Sequence, residues 1–341
     1  MKALRYSLWT LAGLVLLVWF AWTSLTLWFA NFGSPWLRAC LAGAFVAWLA
    51  LALAVLRPRW RGLRVALVSS LLVALLYFLT EPSNERDWQP DVAVAPTVDV
   101  DGERVTVHGV RNFRYRSEAD FDARWEERSY DMAKLRSLDL VMSYWGPVDY
   151  CHTFLSFGFE GGEQLAASVE TRKEVGESYS TWAGFFKRYE LVYVFGDERD
   201  LIGLRTNHRG EHVYLYRLRV RPERLRELFL SYLRFADELA RQPQFYKVIR
   251  NSCGVNILHR VAETGRTILV GRDALLNGYW DRHFYGLGVL DRSLSFEELR
   301  KRSRVDERAR EAGEAPDFSR RIRVGLPEAP PPPEERADEP R

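Results

Sequence analysis

"HTFLSFGFEGGEQLAASVETR", residues 152–172, holds two runs of strand-forming residues on either side of Gly161-Gly162, a turn signal, and reads as a β-hairpin. The pattern spreads outward from it. "RVTVHGVRNFRY" (104–115) and "LDLVMSYW" (138–145) precede the hairpin with the same character. "YELVYVFG" (189–196) and "RDLIGLRTN" (199–207) flank Asp197-Glu198 and read as a second hairpin, followed by a strand at "HVYLYRLRV" (212–220). Then the period changes. Pro222 opens "PERLRELFLSYLRFADELARQ", in which Leu225, Leu228, Phe229, Tyr232, Leu233, Ala236 and Leu239 recur at helical spacing, and Pro243 ends it. A shorter helix should begin near Cys253. Beyond residue 265 one strand, "TILVG" (267–271), and helical segments are expected, the last across "FEELRKRSRVDERAREA" (296–312). The class is α+β, an antiparallel sheet with helices packed on it.

The first 81 residues have a different chemistry. Between Arg5 and Arg38 there is no charged residue, and about 20 apolar residues in a helix suffice to cross a hydrocarbon core of roughly 30 Å. Three such segments predict three transmembrane helices at about 7–30, 37–56 and 64–80, the third being the shortest. Lys2 and Arg5 precede the first, and Arg57, Arg59, Arg61 and Arg64 crowd the loop between the second and third, whereas the first loop, "NFGSP", is uncharged. The positive-inside rule then puts the N-terminus in the cytoplasm and everything after residue 81 outside, a periplasm where the cell has two membranes.

Residues 82–99, "PSNERDWQPDVAVAPTVD", are polar and proline-bearing and read as a linker or an extended lead-in, which leaves 100–320 as the extracytoplasmic domain. The proline-rich, charged end, 326–341, cannot bury enough apolar surface to fold. With 48 Lys and Arg against 45 Asp and Glu, the formal net charge of +3 gives no argument for nucleic acid. No phosphate-cradling loop and no metal-ligand spacing is present, so no cofactor and no metal is implied; oligomeric state is not legible.

Three cysteines occur, Cys40, Cys151 and Cys253. Cys40 lies in the second apolar segment. Cys151 and Cys253 both lie outside, where a disulfide between them would persist. A second bland reading makes Cys253 a buried apolar thiol, the common fate of an unbridged cysteine. Against both, a cysteine in the first turn of a helix feels the positive end of the helix dipole, which favours thiolate, and the N–H groups there can hold an oxyanion. His152, opening a strand, can serve as its base. On an extended segment Cys151 and His152 point to opposite faces, so only one of them should meet Cys253. Glu170 is the candidate to orient His152. A three-residue loop, 160–162, pairs residues 152 and 170 directly; a two-residue loop turns Glu170 away and presents Thr171, leaving Glu170 as an exposed strand charge paired with Arg172 or Lys173.

The lines "VRNFRYRSEADFDARWEERSYD", "LDLVMSYWGPVDYCHTFLSFGFEGG", "SVETRKEVGESYSTWAGFFKRYELVYVFGDERDLIGLRTNHRGEHVYLYRLRV" and "NSCGVNI" resemble the Lnb N-terminal periplasmic domain family, from about residue 110 to 262. The resemblance implies a permuted papain-like (NlpC/P60-like) thiol enzyme, with histidine on an early strand and cysteine on a later helix, as His152 and Cys253 are ordered here. It also implies transfer of a fatty acyl chain from a phospholipid to a lipoprotein amino terminus through a cysteine thioester. On that reading Cys253, His152 and Glu170 are catalytic, and Gly254, Asn251 and Asn256 serve the oxyanion or the substrate. The family's cysteine is usually followed by two threonines; here Gly254 and Val255 follow. A thiol amidase or peptidase of the cell envelope would use the same residues, and a non-catalytic envelope scaffold would leave them apart or bridged.

Overall fold

Helices α1 (Lys2–Trp28), α2 (Pro35–Val55) and α3 (Arg59–Leu79) open the computed structural model, which describes residues 2–265 and 276–327. All three are long and apolar enough to cross a membrane. The Ser34 hydroxyl accepts from the Leu37 N–H and Pro35 occupies the first turn, so α2 starts sharply after the uncharged loop. Helix α3 starts earlier than the apolar run alone suggested. Arg59, Arg61 and Arg64 lie in its first two turns rather than in a loop, with the Arg64 guanidinium 4.3 Å from the Trp60 ring. These helices group with residues 177–190 and 244–248 as one compact unit; residues 84–176, 191–243 and 249 onward form a second.

The second unit is built on an eight-stranded sheet. Its strands are β1 (Thr97–Asp101), β2 (Arg104–Arg111), β5 (Trp125–Asp131), β6 (Leu135–Tyr144), β7 (His152–Phe159), β8 (Gln164–Arg172), β9 (Glu190–Gly196) and β10 (His212–Leu218); β3 (Arg114–Tyr115) and β4 (Phe121–Asp122) pair separately. The order is β1-β2-β9-β8-β7-β6-β10, with β5 on β2. The sheet is mixed rather than wholly antiparallel, because β2 and β9 meet in parallel at Arg111 and Gly196.

Alternation along β7 sends successive side chains to two different layers. On one face, Phe157 packs on Phe229 and Tyr232 of α5 (Pro222–Arg241), ring centroids 5.0 and 5.6 Å apart. All seven apolar positions read from the sequence of α5 are buried, and each large one contributes about 1.5–3 kcal/mol relative to exposure. On the other face, Phe154 joins Leu201, Ile202, Val213 and the helices Asp306–Ala312 and Phe318–Ile322 in one core cluster.

Three expectations need correction. Residues 198–208 form no second hairpin: α4 (Glu198–Gly203) runs into a π-helical turn, Leu204–His208. The Asp197 side chain accepts from the Arg199 N–H and starts the helix, and Asp200 in its first turn is buried against Arg111, which an alternating strand would not allow. Residues 84–99 are not a linker. Asn84 donates to the carbonyls of Leu239 and Ala240, Trp88 and Val92 are buried, the Arg172 guanidinium sits 4.5 Å from the Trp88 ring, and β1 begins at Thr97. Single anchors without a period leave no pattern to read. The helix expected across 296–312 is two, Phe296–Ser303 and Asp306–Ala312, broken where the Val305 N–H bonds to the Val213 carbonyl of β10. The strand expected at 267–271, and the tail from residue 328, lie outside the described residues.

Candidate active site

The β7–β8 hairpin aligns Leu155 with Ala167, Ser156 with Ala166, Phe157 with Leu165 and Gly158 with Gln164. Extending that register sets residue 152 opposite 170, the arrangement of the three-residue loop. Gly161 and Gly162 adopt φ of +90° and +91°, a region side chains disfavour, so the loop needs both glycines. His152 Nε2 lies 3.1 Å from Glu170 Oε1 and 2.7 Å from the Ser168 hydroxyl, which itself donates to Glu170 Oε1 at 2.6 Å. Arg205, in the π-helical turn, donates to the same oxygen at 3.0 Å and to the Leu201 carbonyl at 2.7 Å, with its guanidinium over the Phe154 ring. Both partners of this ion pair are largely enclosed.

Cys253 is the first residue of α6 (Cys253–Glu263) and is partly buried. Its thiol lies beside the His152 ring, close enough for the ring to act on its proton affinity. Thr153 also lies beside the sulfur, and its buried hydroxyl has no hydrogen-bond partner among the described residues. Ser252, the N-cap, makes no side-chain cap bond, which leaves the first N–H groups of α6 uncapped.

The residues after the cysteine have structural explanations. Asn256 is buried; it donates to the carbonyls of Asn251 and Ser252 and accepts from the Tyr193 hydroxyl. It thus fixes the turn that presents Cys253. Asn251 contributes its carbonyl to that turn. A β-carbon on Gly254 would stand 3.0 Å from the Trp280 ring and 3.4 Å from the Asn277 side chain, so Trp280 fills the space where the family's threonine would stand.

The residue that sequence reasoning missed most plainly is Asn277. Its Nδ2 donates to the Cys151 carbonyl and lies 3.6 Å from Cys253 Sγ, and its Oδ1 accepts the Cys151 N–H at 3.2 Å. One amide clamps the residue before His152 and reaches the nucleophile. Cys151 and Cys253 are separate thiols, and Cys151 is buried with its sulfur 3.5 Å from the Asn277 carbonyl.

Residues 121–272 match the model of the Lnb N-terminal periplasmic domain. Over that stretch, a little under half of its length, the chain is similar to this family. Neither the curated proteins nor the solved structures give a match. With its three apolar helices it is an inner-membrane protein with a periplasmic domain. The matched stretch of the Lnb domain includes His152, Ser168, Glu170, Arg205 and Cys253, whereas Asn277 lies beyond it.

The electrostatics of this domain separate Cys151 from Cys253. Burial alone would raise the Cys253 pKa, but the hydrogen bond and charge of His152, with Thr153, overrule it and the net shift is downward. Burial would lower His152, yet Glu170 and the bond to Cys253 raise it to about 9 against the charge of Arg205. Glu170 is held well below the usual carboxylate range, because its charge partners His152 and Arg205 and the Ser168 hydroxyl outweigh its burial. Cys151 goes the other way, pushed well up by burial and then by the neighbouring Cys253. A thiolate, an imidazolium, a carboxylate and a guanidinium together carry no net charge, which is how the cluster tolerates enclosure.

Proposed function

We propose that this protein is a membrane-anchored thiol acyltransferase of the cell envelope, with its three helices crossing the cytoplasmic membrane. The observation that carries the reading is Cys253 at a helix start beside the Glu170-paired His152, with the thiol pKa lowered and the imidazole pKa raised. The Cys253 thiolate attacks an ester carbonyl, the first N–H groups of α6 and Asn277 Nδ2 hold the oxyanion, and the C–O bond breaks as His152 gives its proton to the departing alkoxide. An amine then attacks the thioester, His152 accepts its proton, and the C–S bond breaks to return the thiolate. Glu170 and Ser168 hold the ring, and Arg205 holds Glu170. The order of a histidine on a strand and a cysteine on a later helix is that of a permuted papain-like enzyme.

Within this chemistry a phospholipid donor and a lipoprotein amino terminus as acceptor are favoured by what surrounds the site. Trp145, Val148 and Tyr150, on the segment leading to Cys151-His152, and Ile249, on the segment leading to Cys253, are all more than half exposed. Apolar residues on both approaches suit a fatty acyl chain better than a polar cell-wall substrate. Intact-mass measurement of protein incubated with phospholipid tests the proposal. An added acyl mass on Cys253, removed by neutral hydroxylamine and absent from Cys253→Ser, is expected, with transfer to a peptide carrying an amino-terminal diacylated cysteine. Donor cleavage that delivers acyl groups only to water would make it a hydrolase. No adduct and no donor cleavage would overturn the proposal.

A further inference from the structure

The segment between β8 and β9 belongs to the same compact unit as α1–α3, and its side chains are sorted by chemistry. Lys187 Nζ donates to the carbonyls of Tyr77 and Thr80 at 2.8 and 3.0 Å, and so closes the C-terminal end of α3. Arg188 donates to the Ala30 carbonyl, just past the end of α1, and is paired with Glu177 in an almost fully enclosed ion pair. Phe186 is buried and stacks on Phe29 with centroids 5.1 Å apart. Lys187 adopts φ of +55°, a left-handed conformation unfavourable for lysine, which this unit holds in place. The Tyr189 hydroxyl closes the segment on itself, donating to the Ser178 carbonyl and accepting from the Ser180 N–H.

The other side of the segment is apolar and uncovered. Tyr179, Trp182 and Phe185 are 49%, 71% and 42% exposed, with Trp182 just before the 3-10 turn Ala183–Phe185 and Phe185 at its end. Carbonyls at the ends of membrane-crossing helices lie near the level of the lipid headgroups, and cations that bind them hold the segment at that level. Tryptophan and tyrosine favour that zone because the ring is apolar and one edge is polar.

We propose that residues 177–190 form an interfacial loop whose exposed Tyr179, Trp182 and Phe185 rest in the headgroup–acyl boundary of the leaflet where α1 and α3 end. The occupant of this apolar surface is phospholipid, argued from its continuity with the spans. The proposal requires α1 and α3 to cross the bilayer and is independent of the thiol chemistry.

The test places a spin label at Trp182→Cys or at Tyr179→Cys, in full-length protein with Cys40→Ser and Cys253→Ser, reconstituted in phosphatidylethanolamine–phosphatidylglycerol vesicles. Collision with oxygen, which concentrates in lipid, should exceed collision with a water-soluble nickel chelate at both positions. The order should reverse for a label at exposed Asp101→Cys. Two results overturn the proposal: a label at 182 and 179 that meets the nickel chelate as readily as the one at 101, or one that meets neither reagent, which would mean protein covers the surface. Adding Lys187→Met releases the α3 carbonyls, and nickel collision at 182 should then rise. If a label at 182 prevents folding, the 179 label decides alone.

Discussion

Cys151 and Cys253 show how far their surroundings can set two thiols apart. Both lie in the periplasmic domain, and only Cys253 has the His152 imidazole acting on it, so it should be the more acidic of the two. Alkylation of Cys253 should therefore proceed with a midpoint below the ordinary cysteine value of about 8.5. In His152→Ala the midpoint should rise, and each unit of rise removes about tenfold of the thiolate at neutral pH. Superimposable profiles would separate the two residues and end the thiol-enzyme reading. His152 also has a stability sign. Raised to about 9 from 6.5, it binds its proton more tightly in the folded chain, so its contribution is full below 6.5 and is lost as pH rises through about 9. Asn277 acts at the same scale. Asn277→Ala should lower the acylation rate by roughly 100-fold if its Nδ2 holds the oxyanion, and Asn277→Asp should in addition raise the thiol midpoint by setting a carboxylate beside the sulfur. A rate and a midpoint unchanged in both variants would reduce Asn277 to a clamp on Cys151.

At the scale of elements, legibility followed periodicity. Helix α5 and the β7–β8 hairpin repeat a pattern over many residues, and both were readable with nearly their observed bounds. The hairpin's register also carried Glu170 to His152 once the loop was three residues long. Ser168 was readable in the same way, two residues before Glu170 and so on its face, but a lone serine gives no signal. Arg205 and Asn277 were not readable, because each reaches the site from an element with no period of its own: a π-helical turn taken for a strand, and the turn entering Trp280–Gly286. Arg205 matters for a balance of charge. It lowers the proton affinity of His152 while holding Glu170, so Arg205→Met should push the imidazole pKa above about 9 and destabilise the domain by roughly 1–3 kcal/mol, since Glu170 loses a charged hydrogen-bond donor but keeps His152 and Ser168. Titration of the His152 ring by NMR, with thermal unfolding alongside, measures both. Arg205→Lys should restore part of each. An unshifted His152 would show that Arg205 serves packing on Phe154 alone.

For the whole molecule the issue is which side of the membrane the thiol faces. Adjacent residues Lys187 and Arg188 bind the carbonyl ends of α3 and α1, so the C-terminal ends of those helices lie on one side of the bundle. Their N-terminal ends then lie on the other, and that is where Lys2, Arg5, Arg59, Arg61 and Arg64 are found. Each arginine at the centre of a span costs about 2.5–3.5 kcal/mol, and basic residues flanking spans stay on the cytoplasmic side. Three crossings with the N-terminus inside is therefore the arrangement we propose. Alkaline phosphatase fused after residue 100 should be active and a green fluorescent protein fused there dark, whereas fusions after Leu56 should give the opposite pair. Exchanging Arg57, Arg59, Arg61 and Arg64 for glutamine while adding arginines to the uncharged loop at 31–35 should weaken both signals by producing mixed orientations. A phosphatase inactive after residue 100, with a bright fluorescent fusion in its place, would put Cys253 in the cytoplasm. That result would remove the lipoprotein acceptor even if the thiol pair itself proved reactive.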